Sequence, residues 1–150
     1  MALTLGTDYL SFEKVDCSQQ SLTAALTRGA AVLTPTLIAM IPLQSMGSVF
    51  VANVVTRYGG DPVAAVKTLL ADPATTAASL EEALRTMYAA ASTRWLFPVK
   101  ELETFKVTTG FFGMISLKMP GESVRRMVIR DKGGKAAAKD FYAATLAARA

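Results

Sequence analysis

The stretch GAAVLTPTLIAMIPLQSMGSVFVANVVT, Gly29 to Thr56, lies between Arg28 and Arg57 and holds no ionisable side chain. Its length permits a membrane span, for which about 20 apolar residues suffice. Pro35 and Pro42 fall inside it, however, and Gln44, Ser45, Gly47, Ser48 and Asn53 interrupt it with polar groups. No clean run of about 18 apolar residues survives. The favoured reading is a buried core or subunit interface made of two helices that part near Pro42, with a membrane-associated subunit built on Gly29–Thr56 as an alternative.

Immediately before this stretch, Asp16 or Ser18 offers an N-cap oxygen for a helix through SLTAALTRGAAVL, whose alanines and leucines favour helix. Within it, Thr34 followed by Pro35 reads as a cap with proline in the first helical position, starting a short helix TLIAMI. Val49 to Tyr58 admits two readings, a helix closed by Gly59 or a valine-rich strand, of which helix is favoured.

Two Asp-Pro pairs follow, Asp61-Pro62 and Asp72-Pro73, each matching an N-cap with proline behind it. The first starts VAAVKTLLA. The second leads toward the strongest helix, which a capping box of Ser79 and Glu82 should open and which should run to Pro98. Leu80, Leu84, Met87, Tyr88 and Trp95 form its apolar stripe.

Beyond Pro98 the character changes. Thr104 to Met119 is β-branched and aromatic, Pro120-Gly121 marks a turn, and VRRMVIR reads as a return strand. Gly133-Gly134 ends it, and KAAAKDFYAATLAARA forms a last helix. At the other end, Ala2 to Val15 alternates enough for one or two short strands. The expected fold class is therefore α+β in a single domain, residues 1–150: a mainly helical body, a carboxy-terminal β-hairpin that the amino-terminal strands can join, and a final short helix.

Composition narrows the function. The chain has 150 residues, 51% hydrophobic, with no histidine and one cysteine, Cys17. Lack of histidine removes the usual general base and zinc ligand and every Ser-His or Cys-His nucleophilic arrangement. A lone cysteine forms no internal disulfide, which favours an intracellular setting or a viral particle. The amino terminus lacks a basic region followed by an apolar core, so no signal peptide is expected. Glu81/Glu82 and Glu101/Glu103 read as solvated surface. No catalytic set, metal site or cofactor is called for.

Charge is asymmetric. Residues 1–99 carry six basic and seven acidic side chains, and residues 100–150 carry ten and five. The candidate nucleic-acid or anion-binding residues are Lys118, Arg125, Arg126, Arg130, Lys132, Lys135 and Lys139, on a hairpin interleaved with Phe105, Phe111 and Phe112. A three-residue turn would set Lys118, Arg126 and Arg130 on one face with Val124 and Val128, whereas a one-residue slip would mix the faces. The segment IRDKGGKAAAK could present backbone N–H groups to an anion, although it lacks the Walker spacing and a plain glycine turn is the favoured reading.

These features point first to a non-enzymatic structural or interaction subunit of a larger assembly, such as a virion, a phage-like particle or a ribonucleoprotein. Its partners would be other protein subunits in a homo- or hetero-oligomer. A nucleic-acid-binding module that uses the basic carboxy-terminal third on DNA or RNA is the second reading.

Overall fold

The computed structural model describes residues 3–19, 27–42, 62–88, 96–111 and 113–149. In chain order these form β1 (Leu10–Gln19), β2 (Thr27–Leu33), β3 (Leu37–Pro42), α1 (Pro62–Ala71), α2 (Ala77–Tyr88), β4 (Leu96–Pro98), β5 (Thr104–Val107), β6 (Ile115–Lys118), β7 (Arg125–Ile129), α3 (Gly134–Phe141) and α4 (Ala143–Arg149). The strands make one seven-stranded sheet in the order β4-β3-β2-β1-β7-β6-β5, antiparallel throughout. It curls into a half-barrel.

This overturns the expected helical body. Residues 27–42, the first half of the uncharged stretch, are two paired strands, with Leu33 opposite Ile38 and Ala31 opposite Met40. From Gly29 to Thr34 and from Leu37 to Ile41 every residue is buried. A strand buried on both faces shows no polar alternation, so by pattern it resembles a buried helix. Thr34-Pro35 illustrates the ambiguity. Thr34 Oγ1 accepts the Leu37 N–H at 2.9 Å, as a helix cap would, but Thr34 N–H donates to Leu37 O at 2.7 Å and closes a hairpin. Proline at the second position of a β-turn has the φ it needs in a helical first turn.

Other boundaries shift for similar local reasons. Asp16 and Ser18 lie within β1 instead of capping a helix. Pro42 ends β3 opposite Gly29, so it splits no helix. Leu96 and Phe97, expected at the end of a long helix, pair with Ala39 and Ile38. The stretch 104–119 is two strands around a loop, with Gly110 at φ 102°. The Val49–Tyr58 segment and Trp95 lie outside the described residues, as do the side chains of Met87 and Tyr88.

Where helices occur, their starts follow the caps. α1 begins at Pro62, as the first Asp-Pro pair implies. The second pair makes a turn, in which Asp72 Oδ1 accepts the Ala74 N–H at 2.9 Å. α2 then opens with Thr76 as its cap, whose Oγ1 accepts the Ser79 N–H at 3.1 Å while Ser79 Oγ accepts the Thr76 N–H at 2.8 Å. Ser79 thus occupies the third helical position of a reciprocal cap, three residues from its expected place. Leu80 and Leu84 are fully buried. α2 packs against β4.

The inner face of the half-barrel carries Phe12, Val15, Cys17, Phe105, Ile115, Leu117, Met127 and Ile129, all buried. α3 closes one end. Gly134 lies so close that a Cβ there would sit 2.4 Å from Ile129 Cγ2 and 3.1 Å from Phe12 Cε1, which fits only glycine. Tyr142, at the break between α3 and α4, donates its hydroxyl to Thr34 O at 2.6 Å and meets the Phe105 ring edge-on at 5.1 Å. Arg149 of α4 donates to Leu102 O.

β1 bulges between Phe12 and Val15. Asp131, just beyond β7, fills the gap: its carboxylate accepts the N–H groups of Glu13 at 3.1 Å and Lys14 at 2.9 Å. Arg130 N–H continues the pairing to Lys14 O at 2.7 Å. Hydrogen bonds to a charged acceptor contribute about 1.5–3 kcal/mol where water is kept away. Glu13 and Lys14 are exposed, so Asp131→Ala should cost near the lower end, about 1.5 kcal/mol. Urea unfolding measures this, and an unchanged midpoint would mean that the bulge is held by other contacts.

Candidate nucleic-acid interface

Which way each cation points follows from strand alternation. In β7, Arg125, Met127 and Ile129 are buried, while Arg126 and Val128 are half-exposed. Leu117 pairs with Arg125, and Ser116 with Arg126. This is the register of the three-residue turn, with Gly121 at φ 77°. Lys118, Val124, Arg126 and Val128 therefore share the outer face, and Arg130 continues it beyond the strand.

Crossing the strands, one outer row runs Lys106, Ser116, Arg126 on β5, β6 and β7. Lys106 is exposed, and neither Lys106 nor Arg126 pairs with a carboxylate among the described residues. The cations on either side are neutralised. Lys118 Nζ meets Glu103 Oε2 at 2.8 Å, and Arg130 Nε meets Asp16 Oδ2 at 2.9 Å. Exposed pairs of this kind contribute about 0–1 kcal/mol to stability, but they cancel charge locally. What remains is a positive strip between two ion pairs.

Arg125 stands apart from the other candidates. It is 7% exposed and faces inward, with Nη2 3.4 Å from Glu122 Oε1 and its guanidinium carbon 5.4 Å from the Phe97 ring centre. β3, β2 and β1 separate β4 from β7 in the sheet, so this contact crosses the concave interior. Lys132 and Lys139 are exposed, on the turn before α3 and on α3 itself.

Lys135, at the start of α3, reaches the β5–β6 loop and donates to Gly110 O at 3.3 Å. That loop is held at its base. Thr108 N–H donates to Met114 O at 3.0 Å, Met114 N–H to Thr108 Oγ1 at 3.1 Å, and Gly113 N–H to Gly110 O at 3.1 Å. Phe111, at its tip, is 90% exposed. The described atoms of loop and helix enclose an open cavity of about 460 Å³, lined by Thr109, Gly110, Arg130, Asp131, Gly134 and Lys135. Gly133 enters α3 at φ 73°.

Chemically, the cysteine lies off this surface. Cys17 is buried on the inner face, and burial pushes its thiol well above the ordinary range, leaving no thiolate at neutral pH. Among the described residues no group of three or more Cys, Asp or Glu side chains is placed to hold a metal ion. No described helix is long and apolar enough to cross a membrane.

Lys106 carried a visible charge in the sequence but not its place beside Arg126, which depends on pairing two strands across the Phe111 loop. Comparison with protein-family models, curated proteins and solved structures finds no match.

Proposed function

We propose that this chain is a non-enzymatic binding subunit of a larger assembly, of the kind found in a virion, a phage-like particle or a ribonucleoprotein. Its working surface is the outer face of β1-β7-β6-β5 together with the Phe111 loop. The observation that carries this reading is the contrast between the two halves of the sheet. Residues 29–33 of β2 and 37–41 of β3 are buried on both sides, whereas the outer side chains of β6 and β7 stay half-exposed and the β5–β6 loop carries a Phe111 ring that is 90% exposed. Burying such a ring is worth about 1.5–3 kcal/mol, a gain that a partner surface can realise.

Static light scattering of the purified chain tests this. The expected result is a species several times heavier than the 15.9 kDa protomer. A 15.9 kDa particle at micromolar concentration contradicts the assembly reading.

A further inference from the structure

We infer that the partner on the outer face is single-stranded nucleic acid, with its phosphates on Lys106, Ser116 and Arg126 and an unpaired base on Phe111. This rests on the proposal that the outer face is the contact surface, and it names the chemistry of what lies there.

The charge pattern selects a polyanion. Asp16 and Glu103 already hold Arg130 and Lys118, so in the row Lys106-Ser116-Arg126 between those two ion pairs both cations are left without a carboxylate among the described residues. With strands about 4.8 Å apart, these two residues stand about 10 Å from each other across β6. Both side chains are long enough to converge on neighbouring phosphates, and the Ser116 hydroxyl between them can donate to a phosphate oxygen. A neutral or basic protein surface would leave both cations unpaired in a closed interface.

Strandedness follows from Phe111. Its ring, 90% exposed, is carried by the β5–β6 loop five residues after Lys106. A π-face can stack on a base only if that base is not already stacked within a duplex, and such stacking is tolerant of sequence. Among the described residues, the other exposed large hydrophobic is Leu5, which is far from Phe111 in sequence. One ring is enough for a base but a small anchor for a lipid surface.

Fluorescence anisotropy with labelled oligo(dT) of about 12 nucleotides tests the inference. Two phosphate contacts imply a slope of log affinity against log salt near about −1.4. Lys106→Ala with Arg126→Ala should weaken binding about tenfold at low salt and flatten that slope. Phe111→Ala should weaken it about tenfold with the slope retained. Arg85→Ala on α2, an equal loss of charge elsewhere, should change affinity by less than about twofold. All of these sites are on the surface, and unfolding midpoints close to the parent's confirm that the variants are folded. The inference is overturned by absence of binding at low ionic strength, by an equal loss in Arg85→Ala, or by sedimentation with phosphatidylserine vesicles in place of oligonucleotide binding. Light scattering before and after nuclease treatment separates it from the assembly reading. A multimer that ignores both nuclease and oligo(dT) leaves the assembly and removes the nucleic acid, whereas a 15.9 kDa species that binds oligo(dT) does the reverse.

Discussion

Tyr142→Ala is expected to lower the thermal midpoint by on the order of 10 °C, well beyond the effect of truncating an exposed side chain. Tyr142 is 1% exposed and joins three parts of the fold. Its hydroxyl reaches the β2–β3 turn at Thr34 O, its ring packs on Phe105 of the far edge strand, and Phe141 lies edge-on at 5.0 Å. Truncating a buried aromatic costs about 3–5 kcal/mol, and in a chain of this length each kcal/mol moves the midpoint by about 2–4 °C. Tyr142→Phe keeps the ring and strands the Thr34 carbonyl, so a smaller loss of about 1–2 kcal/mol is expected. Calorimetry distinguishes the two variants. Equal midpoints for parent and Tyr142→Ala would mean that α3 does not close the half-barrel.

Arg125→Ala should destabilise by about 2–4 kcal/mol without weakening oligonucleotide binding. The guanidinium bridges the concave interior from β7 to Phe97 on β4, and its removal leaves the partly buried Glu122 carboxylate without that cation. Arg125→Met retains the apolar stem and should recover part of the loss. Urea unfolding gives the energies and anisotropy the affinity. A variant that unfolds like the parent but binds weakly would place Arg125 on the contact surface instead.

Arg125 and Arg126 show why the candidate site is only half legible in the sequence. Two adjacent arginines after a Pro-Gly turn look alike by composition, and which of them is buried depends on a one-residue register that strand pairing alone decides. Alternation with Val124 and Val128 put Lys118, Arg126 and Arg130 together in one of the two registers, and that is the register the hairpin adopts. Neither register revealed that Asp16 and Glu103 would neutralise Arg130 and Lys118, because both acids arrive from other parts of the chain.

The fold divides along similar lines. Signals that act within a few residues were readable: Pro62 opening α1, Pro120-Gly121 turning β6 into β7, Gly133-Gly134 starting α3, and the buried pair Leu80 and Leu84. Signals that depend on burial were not. Ala30, Ala31, Val32 and Leu33 look like one turn of an apolar helix until helices and a curled sheet bury both of their faces. Thr34-Pro35 then serves a hairpin with the geometry it would bring to a helix cap.

The division of the sheet into a contact face and a core face is tested most directly by methyl-resolved NMR during titration with oligo(dT). Val124 and Val128 report the outer face, Ile115 and Ile129 the inner one, and Val66, Leu80 and Leu84 the α1–α2 side. The expected result is movement of the Val124 and Val128 methyl signals in step with binding, while those of Ile115, Ile129, Val66, Leu80 and Leu84 stay in place. Shifts centred on the inner-face or α1–α2 methyls, with Val124 and Val128 unmoved, would contradict it.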